Sequence, residues 1–327
     1  MMPLIIMRQR GKPVIDWSFL GSALPSGLTF TRASAATRFD SSGVMQSAAA
    51  NEPRFDYDPV THEANGLLIE ASRQNVFLNS NAPATQNITV TAQVYTVSFY
   101  GSGSLVLSGA HSATVAGNGS YPLRRAYTFT PSAGTLTVTV SGDVQKAQLE
   151  AGAFATSFIT TSGSAATRAA DLLSTISLPW FNVAQGAFLV EFVLNGAAAG
   201  GNNYTAAFSD GTTNNLIATF FSASTINAQG ILVAAGVSKT SAGTSGALGL
   251  GSLSKQALTY KTASNSMCFN GVLDGSSTLG GAGLPSSITC LALGNRVGGA
   301  YIPTLYLRRF QYWNRALDNI ALQRITQ

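Results

Sequence analysis

From residue 188 onward the chain repeats one pattern: a short apolar run, then a turn. The runs occupy residues 188–194, 216–221, 231–235, 256–260, 267–272, 290–293 and 305–313. Turn formers such as Ser209-Asp210-Gly211 separate them, and Asn270-Gly271 between Phe269 and Val272 is a strong hairpin signal. Upstream, residues 89–100 alternate as T-V-T-A-Q-V-Y-T-V-S-F-Y, and residues 134–141 put Leu136, Val138 and Val140 on one face. Period-two alternation of β-branched and aromatic residues is the mark of half-buried antiparallel strands. Composition closes the helical alternative. Charged residues make up 10% of the 327, against roughly 25% in ordinary soluble domains, and glycine reaches 33. The chain reads as all-β, with one short helix at the end where Asp318 caps Ile320, Ala321 and Ile325.

Charge divides the chain into three sections. Residues 1–80 hold seven basic and seven acidic residues among many turn formers, and read as an irregular, extended arm. Residues 81–165 hold three and two, and read as a small β-sandwich. Residues 166–327 hold nine and five, and their strand count implies a larger sandwich or jelly roll. The net charge of +5 is scattered, which argues against a nucleic-acid partner. The only tight basic pairs, Arg124-Arg125 and Arg308-Arg309, read as solvated strand edges. No apolar span reaches membrane length. Residues 1–10 carry a four-residue apolar stretch followed, not preceded, by positive charge, so no secretory signal is expected. Cys268 and Cys290 are expected as buried free thiols on neighbouring strands. Trp180 and Trp313 sit in apolar company and are assigned to the core.

Catalytic patterns are thin. The two histidines, His62 and His111, lie in turns, and no G-x-S-x-G elbow supports a nucleophile. Ser252 and Lys255 match S-x-x-K by chance composition. Gly249-Leu250-Gly251 opens no helix, so no phosphate cradle forms. Asp56-Tyr57-Asp58 resembles the head of a calcium loop but lacks the sixth-position glycine, so no metal is expected. A glycosidase needs two carboxyl groups roughly 5–10 Å apart. The last section offers Asp171, Glu191, Asp210, Asp274 and Asp318, and nothing in the sequence pairs them. No enzyme activity and no cofactor are expected.

Residues 28–40, reading L-T-F-T-R-A-S-A-A-T-R-F-D, continue as P-R-F-D-Y-D-P at 53–59, G-L-L-I-E at 66–70 and R-Q-N at 73–75. In this order they resemble the opening of a family of bacteriophage and prophage virion fibre and spike proteins. A-Q-L-E-A-G at 147–152, A-T-S-F-I at 155–159 and T-R-A-A-D at 167–171 resemble the same family. F-S-D-G at 208–211, L-G-N at 293–295 and L-R-R-F-Q-Y-W-N-R-A-L at 307–317 resemble a concanavalin A-like, laminin-G-type jelly roll. Against that pattern residues 79–87 form a short link, so the middle sandwich reads as truncated.

The resemblance implies a virion-borne structural protein, tail-tip, baseplate or fibre-associated, that contacts host-surface glycan. The alternatives are a head spike or capsid decoration, a baseplate or tail protein without ligand, and, least favoured, a capsule-degrading spike. It also implies a homotrimer and virion neighbours gripped by the N-terminal arm. Sugar binding needs polar side chains around an aromatic face, which nominates Tyr204, Asp210, Asn214, Asn215, Asn295, Arg296 and Tyr301. Arg32, Arg54, Asp56, Asp58, Glu70 and Arg73 are expected to fix the N-terminal segment through ion pairs and hydrogen bonds.

Overall fold

The computed structural model describes residues 11–198, 200–262, 264–278, 283–296, 298–299 and 301–327. The apolar stretch within residues 1–10 lies outside them. Strands make up 49% and helix 3%, so the chain is all-β.

Two antiparallel sheets build the larger sandwich. The eight-stranded sheet runs Val272–Thr278, Ser264–Phe269, Leu253–Lys261, Gln185–Gly196, Thr304–Trp313, Ala64–Ile69, Phe55–Tyr57, with Ile15–Ser18 paired to the far half of Thr304–Trp313. The seven-stranded sheet runs Thr29–Thr31, Leu172–Thr175, Cys290–Leu293, Asn202–Ser209, Leu216–Ser222, Asn227–Ala234, Val237–Ala247. Phe188, Val190, Phe192 and Leu194 project between the sheets into one core with Phe208, Ile217, Leu258 and Phe310. On the opposite face of the same strand, Ala187 and Leu189 pack with Trp313, Leu317 and Leu322 beneath the terminal helix Asn319–Thr326. Burial on both faces is why this strand reads as an unbroken apolar run. Asp318 caps the helix, accepting from the Ala321 amide at 2.8 Å.

Three readings change. The described part of residues 1–80 is no free arm: it supplies strands to both sheets and Phe19, Phe30, Phe55, Leu67 and Ile69 to the core. Its strands are three to six residues long and interrupted by charged turns, so no alternation develops. Residues 89–100 form two strands, Gln86–Val90 and Tyr95–Tyr100, because the chain crosses between the sheets of the small sandwich at residues 91–94. The cysteines are buried and free, but on opposite sheets: Cys268 bonds Thr326 and Cys290 bonds Ser209.

The small sandwich stacks a four-stranded sheet (Ala113–Ala116, Ser104–Gly109, Gly134–Ser141, Gln86–Val90) on a three-stranded one (Arg124–Phe129, Tyr95–Tyr100, Gln145–Ala151). Val97, Phe99, Leu105, Leu136, Val138 and Leu149 fill its separate core.

Candidate functional site

The N-terminal motif residues meet inside the protein. Arg32, Arg54, Glu70, Arg168 and Asp171 are each at most 1% exposed. Asp171 receives Arg32 at 3.1 Å and also Arg54, whose guanidinium reaches Glu70 at 2.8 Å. Arg168 Nε lies 3.5 Å from Glu70, an electrostatic contact without hydrogen-bond geometry. Ser157 donates to Glu70 through its amide at 2.8 Å and its hydroxyl at 2.6 Å. Residues 32–70, the segment following the small sandwich, and the entry to the last section are thereby tied together. Burial pushes the Glu70 carboxyl up, but Arg168, Arg54 and the Ser157 hydrogen bonds outweigh it and hold the group at about 2. Burial lowers Arg32 and Arg168. Arg54 is raised: Asp171 and Glu70 overcome its desolvation.

The other members of that set differ. Arg73 makes no ion pair among the described residues and lies over the Phe154 ring at 5.2 Å. Asp58 is a turn former, accepting from the Val60 and Thr61 amides. Asp56 is buried, accepting from the Phe39 amide at 2.7 Å and the Tyr306 hydroxyl at 2.8 Å, and burial raises its pKa from the ordinary aspartate value.

The seven residues nominated for sugar do not form one site. Tyr204 and Asp210 sit at opposite ends of Asn202–Ser209, about 20 Å apart at strand rise. Asp210, Asn214 and Asn215 form a turn in which Asp210 accepts from Thr212 and Asn215. At the other end Arg296 covers the Tyr204 ring at 5.9 Å, leaving Tyr204 5% exposed. Asn295 is 2% exposed and spends its amide on the Leu173 and Leu293 carbonyls. Only Tyr301, 44% exposed and held at a positive φ of 53°, presents an open ring.

A cleft with no signal in the sequence lies where the small sandwich meets the outer face of the eight-stranded sheet. An inner cavity of about 200 Å³ opens into an outer one of about 480 Å³, and Phe39, Asp56, Tyr100, Arg124, Asn195 and Tyr306 line both. Arg124 is no solvated edge: it lies over Tyr100 at 5.5 Å and donates to the Thr156 carbonyl and Ser98 hydroxyl. Arg308, at the outer mouth, donates to the Asn65 and Ala64 carbonyls. These residues come from all three sections, so no local motif could have joined them. Asp56 and Glu70 both line the inner cavity with pKa values pushed in opposite directions, a pattern common to acid–base pairs. Their oxygens accept from the partners named above. Among the described residues, no group of His, Cys, Asp and Glu could hold a metal.

Fold and site define an all-β protein of two sandwiches joined by a buried ion cluster, the larger a jelly roll. No family model matches the chain, and no curated protein matches its sequence. Solved structures similar to it include the CBM40 of the Ruminococcus gnavus IT-sialidase, at 14% identity and TM-score 0.36 over 45% of this chain and 84% of that one. The heptameric SAP-like pentraxin from Limulus polyphemus matches at 11% and 0.36 over 79% and 82%. Trypanosoma rangeli sialidase matches at 12% and 0.37 over 47% of this chain and 26% of its own. The jelly-roll assignment rests on the strand registers.

Proposed function

We propose that this chain is a non-enzymatic phage virion protein, associated with the tail tip, baseplate or fibre, that contacts glycan on the host surface. One observation carries the reading. Five charges of the stretches resembling fibre and spike proteins, Arg32, Arg54, Glu70, Arg168 and Asp171, are spent in the buried cluster that joins the sections. Such residues act as a joint, which suits a part that must keep its shape on a particle, and they are too enclosed to serve a reaction.

The test is immunogold labelling of purified particles of the encoding phage or prophage with antibody against the full chain. Gold at the tail tip or fibres is the expected result. Gold spread over the head would replace the tail assignment with a head spike or decoration protein. Unlabelled particles, with antibody that recognises the denatured chain, would overturn the virion reading.

A further inference from the structure

We infer that the cleft between the sandwiches binds an acidic saccharide, through Arg38, Asn195 and Thr304 beside the Tyr100–Arg124 stack. The ligand class rests on the glycan-contact reading above; the existence of a site does not.

The polar groups of the cleft fall into two kinds. Asp56, Tyr306, Glu70 and Ser157 satisfy one another or neighbouring groups, and they form the fixed floor. Arg38, Asn195 and Thr304 line the same cavity without such partners. Thr304 is 4% exposed, and its Oγ1 finds no hydrogen bond among the described residues. Arg124 Nε, in the wall, is also buried without a partner. The side chains of Arg38 and Asn195 make no hydrogen bond or ion pair among the described residues. Arg38 and Asn195 are half-buried, whereas Thr304 Oγ1 and Arg124 Nε are fully buried and unmatched at a cost in stability; their meeting at one cavity marks a place where an outside group completes them.

Position supports this. Asn195 follows Leu194, the last inward-facing residue of its strand, and lies on the outer face with Val193, opposite Tyr306. Tyr100 stands across the cavity on the small sandwich, held by Arg124 at 5.5 Å and facing Tyr121 at 5.4 Å between ring centres. Tyr100 is 3% exposed beneath Arg124 and backs the cavity, so the polar heads of Asn195 and Thr304 on the strands opposite are what the hydroxyls of a saccharide would meet.

Charge selects an acidic sugar. Arg38, Arg124 and Arg308 line the cleft, against Asp56, which burial drives toward its neutral form, and Asp58 at the outer mouth. Glu70 is already compensated by Arg54 and Arg168. The sugar carboxylate is assigned to Arg38, and ring hydroxyls to Asn195 and Thr304. The Arg38 guanidinium feels Asp40 electrostatically but makes no bond to it, and a planar guanidinium free to bond suits a carboxylate better than a neutral hydroxyl.

The test titrates the full chain with oligomers of glucuronic and galacturonic acid and with matching glucose and galactose oligomers, by calorimetry. Alongside runs a retention assay on immobilised host polysaccharide. Acidic oligomers should bind, with affinity falling as salt rises. Arg38→Ala should weaken them about tenfold or more, and Asn195→Trp, which fills the cleft, should abolish binding. Asp210→Ala, at the far end of Asn202–Ser209, should leave binding unchanged. Thermal unfolding of each variant shows that the fold survives. Equal binding of neutral oligomers would overturn the acidic class. Saccharide binding unchanged in Asn195→Trp but lost in Asp210→Ala would overturn the cleft and leave the glycan reading standing. No binding to any oligomer or to host polysaccharide would overturn both.

Discussion

A buried arginine is tolerated only when its charge is matched at short range, because removing one partner strands the other in a poorly solvating interior. Asp171 touches Arg32 and Arg54 and also accepts from the Glu70 amide at 2.9 Å. We expect Asp171→Ala to destabilise the protein by about 3–5 kcal/mol, read from the urea midpoint; a loss below 1 kcal/mol would show that the cluster is slack. Glu70 gives a pH signature. Its folded carboxyl is depressed to about 2, so its contribution is fully present above the unfolded value near 4.5 and disappears as pH falls toward 2. Wild type should exceed Glu70→Gln by about 3 kcal/mol at pH 6, and the gap should close near pH 2. Asp56 is raised, so it acts in the opposite sense, gaining stability as pH falls. Comparing the two proteins at each pH cancels that contribution. A pH-independent gap would remove Glu70 from the ion-pair account. Arg32, Arg54 and Glu70 form ion pairs in the cluster, whereas Asp171, seen in the sequence as the end of T-R-A-A-D, showed no link to them there, since 101 or more residues separate it from them.

Individual strands were legible wherever the local pattern matched the burial. Gly134–Ser141 has the expected boundaries because one face is buried and the other open. Residues 89–100 misled because alternation continues through the turn between two sheets, and period alone does not show a change of sheet. The final helix was legible through Asp318, whose carboxylate satisfies an otherwise unpaired amide. Asp318→Ala should lower stability by about 1 kcal/mol, with Asp318→Asn recovering most of it; equal loss in both would mean the cap is not the cause. Gly186 was not legible. A Cβ there would lie 2.5 Å from the Tyr260 hydroxyl and 2.7 Å from that of Tyr312, which bond each other at 2.9 Å. Only the folded pairing of three strands brings those groups to residue 186.

At the scale of the whole molecule, section boundaries read from charge density differ from the units the sheets define. Composition separates residues 1–80 from 166–327, yet the larger sandwich needs both. Thr304–Trp313 pairs with Gln185–Gly196 on one side and with Ile15–Ser18 and Ala64–Ile69 on the other. Cutting the chain at residue 166 would leave that strand with a bare edge and strip Phe19, Phe30, Phe55, Leu67 and Ile69 from the core. An unpaired edge beside exposed aromatic residues is a template for aggregation. Residues 166–327 expressed alone should therefore be insoluble or lack near-ultraviolet dichroism, whereas residues 11–327 should fold. Mixing the fragment with residues 11–165 should restore soluble protein, since the missing strands would then be supplied in trans. A soluble, well-dispersed fragment without its complement would show that the jelly roll closes by itself. The N-terminal strands would then be an attachment to that sandwich rather than part of its core.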